Sequence, residues 1–463
     1  MALDAGAIVT TAAASKPADP LLAGPILPTL LRLTLPNLAA MLVTALVAIA
    51  ETAYVGILGT TQLAAIALVF PMVMLMQMLS AGAMGGGVSS AISRALGSGD
   101  EASAEALALH ATIIGAAAGS AFSVLFVASG PAIFQALGGR GAVLEHALTY
   151  ANVALAGAVL VWLLNTLASV VRGTGNMRVP SLTLLGAAML QIGLGGALGL
   201  GLGPIPRFGL AGVACGLVIG FAAGALFLLW FLQSGRARVT LKFRGIGLTR
   251  EMFFDILKVG SLAAFSPLQS VLTVLLLTAL VARFGTEALA GYGIGARLEF
   301  LLVPITFAVG VASVPMVGMA IGARDVARAR RVAWTAAGLA TLVLGGIGLT
   351  VAIAPDIWSS RFTQDPDVRA AADLYLRLAG PAFAFVGMGM ALYFASQGSG
   401  RVLGPVLAAT VRLAVIAIGG WILAANSAPV WTLFALVAAS MLAYGLTTAA
   451  AVYVTPWGRD QGH

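Results

Sequence analysis

Windows of about twenty residues almost free of formal charge recur along the whole chain, and no other property narrows its folding so far. In hydrocarbon a backbone finds no water partner, so each window must close its hydrogen bonds internally as a helix. Twelve such windows occur, at 34–56, 63–92, 105–129, 147–171, 180–203, 209–233, 259–282, 288–320, 332–354, 373–396, 404–425 and 430–454. The balance of the 463 residues agrees: 60% are apolar and only 9% charged, where a soluble domain carries roughly 25% charged residues. The expected fold class is therefore an all-α integral membrane protein with twelve transmembrane helices.

The net charge of +8 does not signal nucleic acid, because its distribution is topogenic. Of the 25 Lys and Arg, 17 fall in the tails and in the loops after even-numbered windows, six fall in or beside the odd-numbered loops, and Arg297 and Arg412 lie within windows. Basic residues mark the cytoplasmic side of a membrane protein, so both termini are expected in the cytoplasm. The first twenty residues lack a long apolar core and read as a cytoplasmic arm rather than a cleavable signal. The single cysteine, Cys215, excludes an internal disulfide and a CxxC metal site.

The densest basic segment, Ser234 to Lys258, falls at the middle of the chain, and the halves on either side of it are related. "LGTTQLAA" from Leu58 aligns with "FGTEALAG" from Phe284 at an offset of 226. "LGSGDEASA" from Leu96 aligns with "IGARDVARA" from Ile321, and "RGTGNMRVP" from Arg172 with "QGSGRVLGP" from Gln397, both at 225. Six helices separate the matches, so the repeats share one orientation and are related by a pseudo-two-fold axis along the membrane normal. The expected plan is an N-terminal tail at 1–27, an N-lobe at 28–233, a basic linker at 234–258, a C-lobe at 259–454 and a C-terminal tail at 455–463.

With "ETAYVGILGTTQLAAIAL", "RALGSGD", "RGTGNMRVP" and "FGTEALAGYGIGARLEFLLVPI" in place, the chain resembles the multidrug and toxic compound extrusion (MATE) family from about Pro28 to Tyr453. The resemblance implies a two-lobe antiporter of the bacterial inner membrane that exports organic, often cationic compounds against a proton or sodium gradient. It implies small-molecule drugs or toxic metabolites, coupling ions and membrane lipid as partners, and neither nucleic acid nor a cofactor. The chain is expected to act as a monomer.

One carboxylate stands out. Glu51 is the only formally charged side chain between Arg32 and Arg94. Asn37, Thr44 and Glu51 recur every seventh residue, which on a helix keeps them within about 40° of one another as one polar stripe. Desolvation disfavours a bare charge there, so the acid suits a role in which a proton binds and leaves, provided no cation compensates it. The alternative is a permanently protonated structural group. The resemblance supports the coupling role, since family members place an aspartate at the position of Glu51 and a proline fifteen residues earlier, here Pro36. Pro36 is either a hinge or the beginning of the helix.

Two departures from the family bear on the coupling ion. Many members carry an asparagine and, four residues on, an aspartate in the fifth span, where this chain has Gln191 and Gly195; some carry a glutamate in the seventh span, where it has Gln269. The missing acid disfavours a sodium site built of several oxygens and favours protons carried by Glu51 alone. Tyr54 and Gln191 complete the expected N-lobe polar cavity. Gln269, Arg297 and Glu299 are the C-lobe candidates, the last two facing an alternative as ion-pair or snorkelling residues, with Arg412 as one partner. Phe70, Met74, Met78, Tyr292, Phe300 and Tyr393 are candidates for an adaptable apolar surface, or simple packing.

Enzyme classes find no support. No Gly-Lys pair exists for a phosphate-binding loop, none of His110, His146 and His463 sits in HExxH, and no GxSxG occurs. The expected function is proton-coupled efflux of cationic amphiphiles, with no enzymatic activity and no metal site. The alternatives are sodium-coupled efflux, a lipid-linked oligosaccharide flippase of the same superfamily and, outside transport, a membrane scaffold. A flippase needs several cavity cations for a pyrophosphate, and only Arg297 and Arg412 are available.

Overall fold

The computed structural model describes residues 19–426 and 428–458, so most of the N-terminal tail and the last five residues of the C-terminal tail lie outside the described residues. Among the described residues there is no strand, and twelve spans cross in sequence. They are α1 (Ile26–Leu58), α2 (Thr60–Gly97), α3 (Glu101–Ala136), α4 (Gly141–Ala156 and Ala158–Gly173), α5 (Arg178–Leu200) and α6 (Gly209–Gln233). The second six are α7 (Arg250–Phe284), α8 (Thr286–Gly322), α9 (Val326–Ile353), α10 (Pro366–Ser399), α11 (Leu403–Ala425) and α12 (Val430–Val454). The two sets of six form pseudo-symmetric bundles.

Several helices outrun their apolar windows, for one physical reason. Hydropathy stops at charge, whereas an amphipathic helix continues into the interface. Thus α7 begins at Arg250 rather than 259 and includes Glu251, Asp255 and Lys258; α1 begins at Ile26 rather than 34 and passes through Arg32. Pro36 consequently sits ten residues inside α1, which overturns its reading as the first residue of that helix. Its ring leaves the carbonyl of Arg32 without the usual helical donor. In α4, Gly157 marks a bend of 42° between two segments. In α2, residues Met78–Met84 form a π-helical turn, a local widening that frees backbone and re-aims side chains.

The repeat is visible in the caps. Asp100 and Asp325, 225 residues apart, each precede a helix and accept from the backbone N–H three residues on, Ser103 and Arg328 respectively, both at 2.8 Å. At Asp100 the Ser103 hydroxyl donates as well, and the two bonds hold that carboxyl below the usual carboxylate range.

The bundles meet along α2 and α8, near the face that carries both described chain ends. Glycine makes the approach possible, since small residues let helix backbones come into contact. A Cβ on Gly97 would overlap the backbone of Met319, and one on Gly322 the carbonyl of Arg94. Ser90 Oγ donates to the Gln397 carbonyl at 2.5 Å and the Gly398 carbonyl at 3.1 Å, and Arg94 pairs with Asp255 at 2.7 Å. The start of α7 also reaches the N-terminal half through His110 of α3, whose Nε2 accepts from the Thr249 N–H at 3.0 Å. Arg328 donates to the carbonyls of Leu21 and Gly24 ahead of α1, and Arg238 pairs with Asp19. Toward the opposite face this contact line ends: Phe70 and Met74 are exposed, as is Phe300 on α8.

Candidate functional site

Glu51 sits about two turns before the end of α1, partly buried inside the N-terminal bundle. Gln191 of α5 donates from Nε2 to Glu51 Oε1 at 2.7 Å, and no cationic side chain pairs with it among the described residues. The pairing follows from α1 packing against α5, where Gly195 and Gly196 leave room for the ring of Tyr54, one turn beyond Glu51. Tyr54 is buried with its hydroxyl unpartnered among the protein groups. A Cβ on Gly195 would lie 3.0 Å from Tyr54 Oη and 3.4 Å from the Val213 carbonyl, so the tyrosine fills the place a second acid would need.

The polar stripe is only partly realised. Asn37 is fully buried, but it lies fourteen residues from Glu51, about 21 Å along the helix, and neither of its amide atoms has a protein partner. Thr44 is exposed and its hydroxyl turns back to the Ala40 carbonyl at 3.1 Å. Of the expected N-lobe set, then, the structure brings Tyr54 and Gln191 to Glu51 and leaves Asn37 and Thr44 apart. Threonine satisfies itself on its own helix because the i−4 carbonyl is always in reach.

Tyr150 was not singled out by the sequence. It is buried on α4 within electrostatic reach of Glu51 and Tyr54. The repeat offers the signal that could have found it: adding 225 to Tyr150 gives Tyr375, and Tyr375 donates its hydroxyl to Glu299 in the other bundle. A polar cluster on α2 and α4 was also missed. Asn165 Nδ2 donates to Gln77 Oε1 at 2.9 Å and to Ser80 Oγ at 2.8 Å, tying α4 to the π-helical turn of α2.

In the C-terminal bundle the expected residues separate. Glu299 faces inward and borders a small cavity of about 20 Å³ lined also by Leu302, Val303, Thr306, Phe383 and Met390. Arg297, two residues away, points elsewhere: it is exposed, with its guanidinium 5.5 Å from the centre of the Phe362 ring in the loop after α9. That placement corrects its assignment to the cavity, and it follows from helix geometry, since residues two apart diverge by about 200°. Gln269 donates to Thr410 at 2.6 Å and so ties α7 to α11 rather than approaching Glu299. Tyr292 and Tyr393 are buried in packing, the latter donating to the Ala263 carbonyl at 2.9 Å, whereas Phe70 and Met74 remain exposed. Among the described residues no group of three or more metal-ligating side chains occurs.

The comparisons with known proteins bear on the family and the fold. The MatE family model matches residues 36–195 and again 263–422, one match per half. A FAD transporter of Shewanella oneidensis is 29% identical over 278 residues, covering 59% of this chain and 60% of that protein. A probable multidrug resistance protein, NorM, of Thermotoga maritima is 24% identical over 324 residues, 69% of each. The crystal structure of a MATE protein in the bent conformation superposes with a TM-score of 0.86 over 94% of this chain and 96% of that one, at 24% identity.

Proposed function

The chain belongs to the MatE family, and from that premise we propose that it is a secondary active multidrug efflux antiporter, exporting cationic amphiphilic drugs or toxic metabolites in exchange for protons. The observation that carries the proposal is the pairing of Glu51 with Gln191 and with no cation. A carboxylate compensated by an arginine would stay ionised. One held by an amide can be stabilised either way, because the amide donates N–H to the ionised form and, turned over, accepts from the acid. Sodium prefers several oxygens at once, and the packing of Tyr54 over Gly195 leaves the site with one acid.

In the proposed cycle the lobes at 28–233 and 259–454 rock about their shared cleft in a bacterial inner membrane, with both termini and the 234–258 linker cytoplasmic. The contacts of α2 with α8 then close the cytoplasmic side, and the cleft near Phe70 and Met74 opens outward. A proton from outside neutralises Glu51, α1 repacks around Pro36, and the cationic drug leaves. The return to the inward state delivers the proton. Each charge moved down 100 mV contributes about 2.3 kcal/mol, which with a pH gradient drives useful accumulation.

The test is efflux from proteoliposomes of wild type and Glu51→Gln under an imposed pH gradient and, separately, an imposed sodium gradient. Loss of pH-driven efflux in the variant is expected. Undiminished efflux removes Glu51 from the mechanism, and wild-type efflux that only sodium drives replaces the ion.

A further inference from the structure

Two clasps tie the bundles together on the face that carries both described chain ends, and the repeat relates them. Arg328 of α9 donates from Nε to the Leu21 carbonyl at 3.1 Å and from Nη2 to the Gly24 carbonyl at 2.6 Å, holding the approach to α1 against the C-terminal bundle. Adding 225 to Gly24 gives Thr249, the residue that precedes α7, and there the clasp is a histidine. His110 of α3 is fully buried. Its Nε2 meets the Thr249 N–H at 3.0 Å and its Nδ1 the Ala106 carbonyl at 2.7 Å, with the Phe253 ring of α7 edge-on and 4.5 Å away between centres. A backbone N–H can only donate and a carbonyl can only accept, so the imidazole is held in one form: Nδ1 carries the proton and Nε2 presents its lone pair.

That form is neutral. A proton added at Nε2 takes the lone pair, sets N–H against N–H, and puts positive charge at the N-terminal end of α7, where the helix dipole is itself positive. No charged side chain bonds the ring to offset it, since both nitrogens are already taken. The charged groups around it are engaged elsewhere or exposed: Glu105 of α3 pairs with Lys242 of the linker at 2.6 Å, Asp255 of α7 pairs with Arg94 of α2, and Arg244, Arg250 and Glu251 are exposed. The end of α4 brings one more cation, the buried Arg172. We infer that His110 is a pH-operated latch: neutral, it holds the start of α7 on the N-terminal bundle and keeps this face closed; protonated, it lets go and the face opens. Separation of the bundles here works against that bond, because α3 and α7 belong to different bundles. The Arg328 clasp donates from a group that keeps its charge and so does not respond. The inference rests on the efflux reading only for which compartment is sensed, the cytoplasm, and the latch itself is independent of Glu51.

Spin labels at Ser98 and Arg324, in full-length protein lacking Cys215 and held in lipid nanodiscs, read the separation of the halves on this face as the pH falls from ~7.5 to ~5.5, the range in which an imidazole takes up its proton. Glu51→Gln is present throughout, so the coupling acid contributes nothing to the response. An imidazole titrates near pH ~6.5, and a proton accepted only by the open form raises the ratio of open to closed by about 10-fold over that range. That rise is expected with His110 intact. In His110→Gln, whose amide oxygen accepts from Thr249 but does not titrate, the ratio should stay constant. Arg328→Gln should raise the ratio at every pH and keep the same response to acid. Absence of the rise with His110 intact overturns the inference, as does an equal rise in His110→Gln. Should His110→Gln fail to fold, the ring itself decides: the chain has three histidines, and 15N spectra that show His110 protonated at Nε2 at the upper pH overturn the inference, whereas a bare Nε2 there that gains its proton as the face opens supports it. With Glu51 restored, any pH response left in His110→Gln belongs to the acid, so failure of the coupling assignment and failure of the latch are read separately.

Discussion

Each bundle buries one glutamate beside a tyrosine, and the tyrosines are repeat mates while the glutamates are not. Tyr150 and Tyr375 differ by the 225 residues that relate the halves, but adding 226 to Glu51 gives Leu277, and subtracting 225 from Glu299 gives Met74. The scaffold was duplicated and the acids were placed independently, on α1 in one bundle and on α8 in the other. Their surroundings differ accordingly. Glu51 has an uncharged amide donor, whereas Glu299 has a phenol donor and the field of Arg412. A cation nearby favours one charge state throughout a cycle, while a neutral partner leaves the acid free to change. Fold symmetry therefore does not extend to the buried acids and their partners.

The largest effect that can break this contrast is a pair of neutralisations. Glu51→Gln is expected to reduce pH-driven efflux to background, and Glu299→Gln to leave it within about threefold, because the cation rather than the proton governs that site. Efflux rates at equal protein in the same vesicles check it, and equal losses would end the distinction between the lobes. Next in size is Gln191→Leu, which keeps the acid and removes its donor. A hydrogen bond to a charged group is worth about 1.5–3 kcal/mol, so efflux at neutral pH should fall by about 10-fold or more. Tyr375→Phe, the corresponding change beside Glu299, should cost less; the reverse order would show that the coupling acid had been assigned to the wrong bundle.

The backbone plan was legible because charge-free windows and glycine loops are local signals. A lone Glu51 in an apolar run shows itself, and so do Gln191 and Gly195 once the fifth span is aligned with its relatives. What the sequence concealed is direction. Arg297 and Glu299 are equally conspicuous as letters, and only the packing of α8 sends one to Phe362 and the other to Tyr375. Thr44 fits the stripe by spacing, yet a threonine's nearest acceptor is on its own helix, so periodicity overstated the cluster. Tyr150 was hidden for a different reason: a tyrosine in a membrane helix is unremarkable until its repeat mate is found beside an acid.

The contact line between the bundles gives a smaller and sharper comparison with the sites inside them. Arg94 and Asp255 join the halves near the chain ends, but the Asp255 side chain is 48% exposed. An ion pair so open to solvent is worth at most about 1 kcal/mol. Asp255→Asn should accordingly move the balance between the two access states by no more than about fivefold, while Gly97→Leu, which forces a side chain into the Met319 backbone, should move it much further. Spin labels at Ser98 and Arg324, in a background lacking Cys215, report the separation of the halves directly. A larger shift from Asp255→Asn than from Gly97→Leu would mean that charge rather than close packing holds this side shut.

The smallest effect tests the repeat itself. Asp100 and Asp325 cap corresponding helices with the same 2.8 Å bond, so Asp100→Ala and Asp325→Ala should each lower stability by about 1 kcal/mol, read as equal drops in melting temperature. The Asp100 contribution also carries a pH signature. Its folded carboxyl lies below the unfolded value near ~3.9, so the stabilisation is whole above that pH and fades as acid protonates the folded state. The loss from Asp100→Ala should therefore be full at pH 6 and vanish in strong acid. If the two caps differ several-fold instead, the halves have diverged in local energetics as well as in their buried acids, and the contrast between Glu51 and Glu299 is one instance of a wider asymmetry.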